Sequence, residues 1–443
     1  MRNGWFEFVS YVQAEPLMIT MVNIIVIMIY LFLFRKQYNS IIDPFFLTVV
    51  TSAFAFSTGI CTFFYDLYAN NNLFLFFVLS ELAFIFGSCF FTQRKSFLRK
   101  SHDYENSIEC VKEPKFYTIL YWNTIVVYII TSLLNIIVIG LPIFSVSPSS
   151  RLNYYSHSTG IFYTIYSSLM PATLMIATYF KSVRKGTIYS ICFWLVLGLT
   201  IFLLIGSGSK SGILLILFIL YFWREYLKHK TKDIERIKSL NKKVFFILCV
   251  GIISCFFLIM LDVGEDVELI IDNFIFRIIG YGDIFPYFYS FNFFPNNIDV
   301  ADNFIISLFG PFFQTLHIIP YYDSSVPPSI GLQVYQFINN TFAIRGPNPR
   351  HNVYGLVIFG EIGSIIYSLA IGLISSYLRN VKIFFGYKNI ISYIFYIYLY
   401  IFACGLNTDV VLSINGLFIS LLVFGIIIVM SGFILYINNK VFK

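Results

Sequence analysis

A chain of 443 residues that is 58% hydrophobic and only 12% charged, with a mean hydropathy of +0.77, carries more apolar side chain than a soluble fold of its size could cover. That excludes a soluble enzyme and predicts an all-α, polytopic membrane protein, because an open sheet cannot cross lipid. The net charge of +7 calls for no nucleic-acid partner, since the sidedness of Lys and Arg accounts for it.

Runs long enough to cross a bilayer number about eleven: 17–34, 44–64, 73–92, 117–140, 160–180, 188–205, 212–227, 244–261, 353–376, 389–406 and 411–436. The first ends in Arg35 and Lys36 and has no small-residue cleavage site, so it reads as a span, not a signal peptide. Alternating the loops places 24 of the 30 Lys and Arg on one side, which is therefore cytoplasmic. The other side receives Arg2, Arg151, Lys210, Arg277, Arg345 and Arg350. The chain reads as one integral membrane domain over 1–443, with a large extracytoplasmic loop at 262–352. Within that loop Glu268, Asp272, Asn273 and Arg277 recur at helical spacing between apolar residues, and Phe304–Phe309 begins a second apolar stretch capped by Asp302. Seven cysteines follow no zinc-site spacing, and none lies in the long loop, so neither a metal site nor a disulfide framework is expected there.

Basic residues are depleted on the outer side, so those present there are candidates. Lys210 sits in the turn Gly206, Ser207, Gly208, Ser209, Lys210, Ser211, Gly212. Its backbone N–H groups can form an anion nest, although Ser209 breaks the nucleotide P-loop order. Arg277 interrupts an apolar segment. Arg345 and Arg350 bracket Gly346, Pro347, Asn348 and Pro349, a stiff run that limits where the two guanidinium groups point. Guanidinium forks match phosphate oxygens, and a helix expected to start after Asn352, its N-cap, would favour an anion at its mouth. A neutral imidazole at His351 suits removal of a proton from a sugar hydroxyl. Glu361, roughly 15 Å further along a straight helix, is a second base or orienter. Glu81, midway in the third span, is an intramembrane carboxylate without an evident partner. Gly360, Ser364, Ser368 and Gly372 form a small-residue stripe for close helix packing.

The outer loop, the Gly/Ser turn with its basic residue, and His351-Asn352 followed by Gly360 and Gly363 together resemble bacterial O-antigen polymerases, also called oligosaccharide repeat-unit polymerases, which are relatives of the O-antigen ligases. One departure is Lys210, where the family's turn often carries arginine. The resemblance implies a GT-C-type, metal-independent and cofactor-free glycosyltransferase on the outer face of a bacterial inner membrane. Its donor and acceptor would be glycans linked to undecaprenyl diphosphate, with a chain-length regulator protein as a further partner. Read from the residues with that reaction in view, His351 and Glu361 are the expected catalytic residues, Arg277, Arg345, Arg350 and Lys210 the expected diphosphate ligands, and Asn352 and Tyr354 the expected substrate contacts. The alternatives are an O-antigen ligase and, from another class, a lipid-linked oligosaccharide flippase.

Overall fold

The computed structural model describes residues 4–91, 115–138, 140–141, 160–184, 186–207, 212–230, 275–276, 278–290, 298–320, 323–340, 346–381 and 389–441. All regular structure among these residues is helical. Eight helices are long and apolar enough to cross a membrane, as in a multi-pass membrane protein. Seven of them correspond to the expected spans 17–34, 44–64, 73–92, 117–140, 160–180, 188–205 and 411–436, and the eighth, His351–Asn380, covers run 353–376 but reverses within it. Run 389–406 forms the shorter apolar helix Ile390–Gly405, run 212–227 falls in the helix Gly212–Lys230, and run 244–261 lies outside the described residues.

Two compact units divide the described chain. The first takes its residues from Met1–Gln93, Val267–Val381 and Leu399–Asn415. It contains α1 (Gly4–Ala14), α2 (Pro16–Phe34), α3 (Pro44–Phe64) and α4 (Asn71–Phe90). Proline opens α2 and α3, where the missing N–H is no loss, and the Asp43 carboxylate caps α3 by accepting from the Phe45 N–H at 2.9 Å. Along α2 the residues Leu17, Met21, Ile25, Met28 and Phe32 are exposed, while Ile19, Val26, Tyr30 and Phe34 are buried. Both sets repeat at helical spacing, so one face suits lipid and the other builds the core.

The second unit holds, besides the later parts of the chain, helices at Lys115–Val138, Ile161–Val183, Thr187–Gly206 and Gly212–Lys230. Its polar side chains pair within it: the Tyr128 hydroxyl meets that of Thr200 at 2.7 Å, and the Tyr393 hydroxyl donates to the Phe222 carbonyl at 2.7 Å. The buried cluster described below lies wholly in the first unit.

Elements of the segment 262–352 pack into the first unit. The six-residue helix Ile284–Tyr289 is buried throughout, with Phe285 edge-on to Phe77 at 4.7 Å and Tyr289 stacked on Tyr68 at 5.0 Å. The apolar stretch at Phe304 forms a helix over Phe304–Thr315 whose cap is Asn303, not Asp302: its side chain accepts from the Ile305 N–H at 2.8 Å. A third helix, Ile330–Asn339, ends in the left-handed Asn340 and lays Gly331 against the backbone of Pro347. Glycine is required there, since a Cβ would collide with the Pro347 carbonyl. The Gly346–Pro349 run is thereby held against a helix.

The expected straight span after Arg350 is a hairpin. The helical segment His351–Asn380 (α5) breaks at Gly360, which takes φ 72° and ψ −171°. Only glycine occupies that region without strain. A short first arm, 351–359, folds back along the second, 361–380: Tyr354 stacks on Tyr367 at 5.6 Å, and Phe359 lies 5.4 Å from the same ring. α5 and α4 form the most extensive helix pairing among the described residues, and the second arm runs along α4. Gly87 and Gly372 face each other's backbones across that crossing, where a Cβ on either would strike main-chain atoms. The small-residue stripe thus serves close packing at Ser364, Ser368 and Gly372, whereas Gly360 leaves the helix to make the reversal.

Candidate functional site

The hairpin brings His351 to the level of Ser368, next to the middle of α4. Pro349 delivers an extended backbone to Arg350, which holds the N-cap position with φ −45° and ψ 162°, and the helix begins at His351. The cap expected at Asn352 is therefore displaced by two residues, and the Asn352 amide turns to the Glu81 carboxylate, Nδ2 to Oε2 at 3.4 Å. Glu81 is also met by the Tyr30 hydroxyl, which donates to Oε1 at 2.7 Å, and by His351, whose Nε2 lies 3.3 Å from Oε2. On its other side the imidazole Nδ1 is 2.9 Å from the Ser368 hydroxyl, and Phe84 stacks on the ring at 4.3 Å. Four segments thereby converge: α2, α4 and both arms of the α5 hairpin.

The cluster is sealed. His351 is 0% exposed, and Glu81, Asn352, Tyr30 and Arg350 are each 1% exposed. A carboxylate in that setting is expensive unless paired and hydrogen-bonded, and breaking such a buried pair costs about 3–5 kcal/mol. Glu81 accepts from Tyr30 and Asn352, and His351 Nε2 sits at 3.3 Å without hydrogen-bond alignment. Arg350 is less well partnered. Its Nη1 reaches only the Tyr281 carbonyl, at 3.5 Å, and Nε and Nη2 have no hydrogen-bond partner among the described residues. Burial pulls the Arg350 pKa down, while the negative charge of Glu81 pushes it back, and an arginine keeps its proton throughout. Asp283, half-buried beside the short helix Ile284–Tyr289, is pushed up to about 7 by burial, against hydrogen bonds from backbone N–H groups and the field of Arg350.

The contrast with a second buried arginine is direct. Arg379, near the far end of α5, is 2% exposed and gives Nη2 to the Ser88 carbonyl at 2.9 Å and Nε to the Ser375 carbonyl at 3.3 Å. Its guanidinium also covers the Phe45 ring at 3.3 Å. Arg379 ties helices together, whereas Arg350 keeps hydrogen-bonding capacity in reserve.

Of the residues singled out in the sequence, the structure gathers Arg350, His351 and Asn352 at one place and adds Glu81. Tyr354 is buried one turn further on, its hydroxyl 2.7 Å from that of Ser307 in the helix Phe304–Thr315. Glu361 is not on a straight continuation from His351. It follows the reversal, its side chain is exposed, and its carbonyl accepts from the Ser364 hydroxyl at 2.6 Å. Lys210, Arg277 and Arg345 lie outside the described residues. Tyr30, Phe84 and Asp283 carried no sequence signal, and Ser368 registered only as a packing residue. Among the described residues no group of three or more His, Cys, Asp or Glu is placed to hold a metal ion. No family model, curated protein or solved structure matches this chain.

Proposed function

We propose that this protein is a membrane glycosyltransferase that polymerises undecaprenyl-diphosphate-linked oligosaccharide repeat units on the outer face of the bacterial inner membrane, into O-antigen or capsular polysaccharide. The observation that carries the reading is Arg350: a buried guanidinium with two unpartnered nitrogens at the start of a helix, the chemistry that accepts a phosphate oxygen pair. Arg277, Arg345 and Lys210 remain further cations for the donor diphosphate, and the resemblance described above supplies the substrate class. In the reaction the acceptor hydroxyl oxygen bonds to the anomeric carbon as the bond from that carbon to the diphosphate oxygen breaks. The electron pair leaves with the diphosphate, and the hydroxyl proton passes to His351. Its Nδ1 takes the proton by way of the Ser368 hydroxyl, 2.9 Å away, which would give its own proton to the imidazole as it accepts that of the sugar hydroxyl.

One observation favours a transporter instead. A helix broken at Gly360, with a half-helix N-terminus and buried charged groups beside it, is a design found in carriers of anionic substrates. The lipid-linked glycan profile of a deletion strain separates the readings. Single repeat units on lipid A indicate a polymerase, long chains stranded on the carrier a ligase, and units trapped on the cytoplasmic leaflet a flippase.

A further inference from the structure

We infer that Glu81 is the positioning residue of the site: it fixes the His351 tautomer so that Nε2 carries the proton and Nδ1 presents the lone pair. The inference rests on the reading of His351 as the base, and it gives a purpose to an acidic residue buried in the middle of an apolar helix.

The geometry leads there in three steps. Glu81 Oε2 lies 3.3 Å from Nε2, an ion-pair distance without the alignment of a hydrogen bond, and because a carboxylate only accepts, the proton is stabilised on the nitrogen nearer to it. The other nitrogen is then an acceptor, and the group it faces is the Ser368 hydroxyl, which can donate. The carboxylate in turn is held from both ends. Tyr30 donates to Oε1 and Asn352 to Oε2, so Glu81 cannot swing away from the ring without losing both. Phe84 fixes the plane of the imidazole by stacking at 13° to it. A charge in this position also stabilises the imidazolium that forms once the proton has moved, the role a buried carboxylate plays beside other catalytic histidines.

An amide of the same shape reverses the arrangement. In Glu81→Gln the Tyr30 hydroxyl would keep the side-chain oxygen and the NH₂ would face Nε2. The imidazole proton would move to Nδ1, leaving no lone pair towards Ser368. The direct measurement is the ¹⁵N spectrum of imidazole-labelled protein in detergent, with the His351 signals assigned by their loss in His351→Gln. The wild type should show Nε2 protonated and Nδ1 bare. Glu81→Gln should show the opposite tautomer and lose chain formation by about 10²–10⁴-fold, while Glu81→Asp should keep the wild-type tautomer. A wild-type spectrum with the proton on Nδ1 overturns the inference without recourse to any variant. So does an unchanged tautomer in Glu81→Gln. A switched tautomer with normal glycan chains leaves Glu81 as the residue that orients His351 and removes His351 as the base, which overturns the reaction proposed above and not the positioning.

Discussion

Arg350 and Arg379 are buried to nearly the same extent in one unit, at 1% and 2% exposure, yet Arg379 spends its guanidinium on two backbone carbonyls while Arg350 has two nitrogens without a partner among the described residues. Their substitutions should separate accordingly. Arg379→Ala leaves the Ser88 and Ser375 carbonyls without that donor and should reduce the amount of folded protein in the membrane. Arg350→Ala and Arg350→Lys should leave more protein in place but cut glycan chain formation, by about 10²-fold or more, because an ammonium cannot reproduce the fork. Normal chain length in Arg350→Lys would reduce this arginine to a structural charge.

His351→Gln distinguishes chemistry from packing. An amide can keep a hydrogen bond to Ser368 or Glu81 but cannot take a proton. Loss of a positioned general base costs about 10²–10⁴ in rate, roughly 3–5 kcal/mol of barrier. Gel profiles of surface glycan, with membrane protein level as control, should therefore show no long chains. Full-length chains in this variant would place the base elsewhere.

Gly360→Ala tests the hairpin. A side chain at φ 72° and ψ −171° costs of order 1–3 kcal/mol, and relief of that strain would straighten the helix and carry His351 away from Glu81. The melting temperature in detergent and glycan synthesis should fall together. Gly198→Ala, where a Cβ would meet nothing within 4 Å, should leave both near wild type.

Asp283 gives the fold a pH dependence. Its pKa rises from an ordinary value of 3.8 to about 7 in the folded protein. Between those values the folded state holds more protons than the unfolded one, so stability falls as pH rises through the window. The contribution is fully present below the lower value and is lost above pH 7. Thermal melts from pH 5 to pH 8 should show the decline, and Asp283→Asn should flatten it. An identical slope in the variant would assign the titration to another group.

Sidedness is testable with single cysteines. Ser324→Cys, on an exposed stretch of the long loop, should react with an impermeant thiol reagent from outside, and Lys36→Cys, in the turn after α2, should not. Equal labelling of both would invalidate the topology derived from the basic residues.

Seven of the eleven expected spans were legible as such because lipid imposes a length and a composition that few other environments share, and the 19-residue α2 shows it in its apolar run. Arg350 and His351 were legible as exceptions, basic groups beside prolines on a side that should lack them. Glu81 was conspicuous too, but its partner lies 270 residues along the chain, and nothing local announces such a pairing. Tyr30 was invisible among 32 tyrosines. The reversal at Gly360 was the main loss. Glycine is tolerated in membrane helices, so a single one within an apolar run gave no reason to fold the segment back.

That fold-back sets a depth. Ser368 lies eight residues beyond Gly360, roughly 12 Å along the second arm at 1.5 Å per residue, and His351 is beside it. A reacting sugar would have to leave bulk solvent and descend past the hairpin to meet the imidazole. In a transferase, such a descent would decide the product: with water kept from the buried imidazole, the activated donor meets another sugar instead, and chain growth prevails over wasteful hydrolysis.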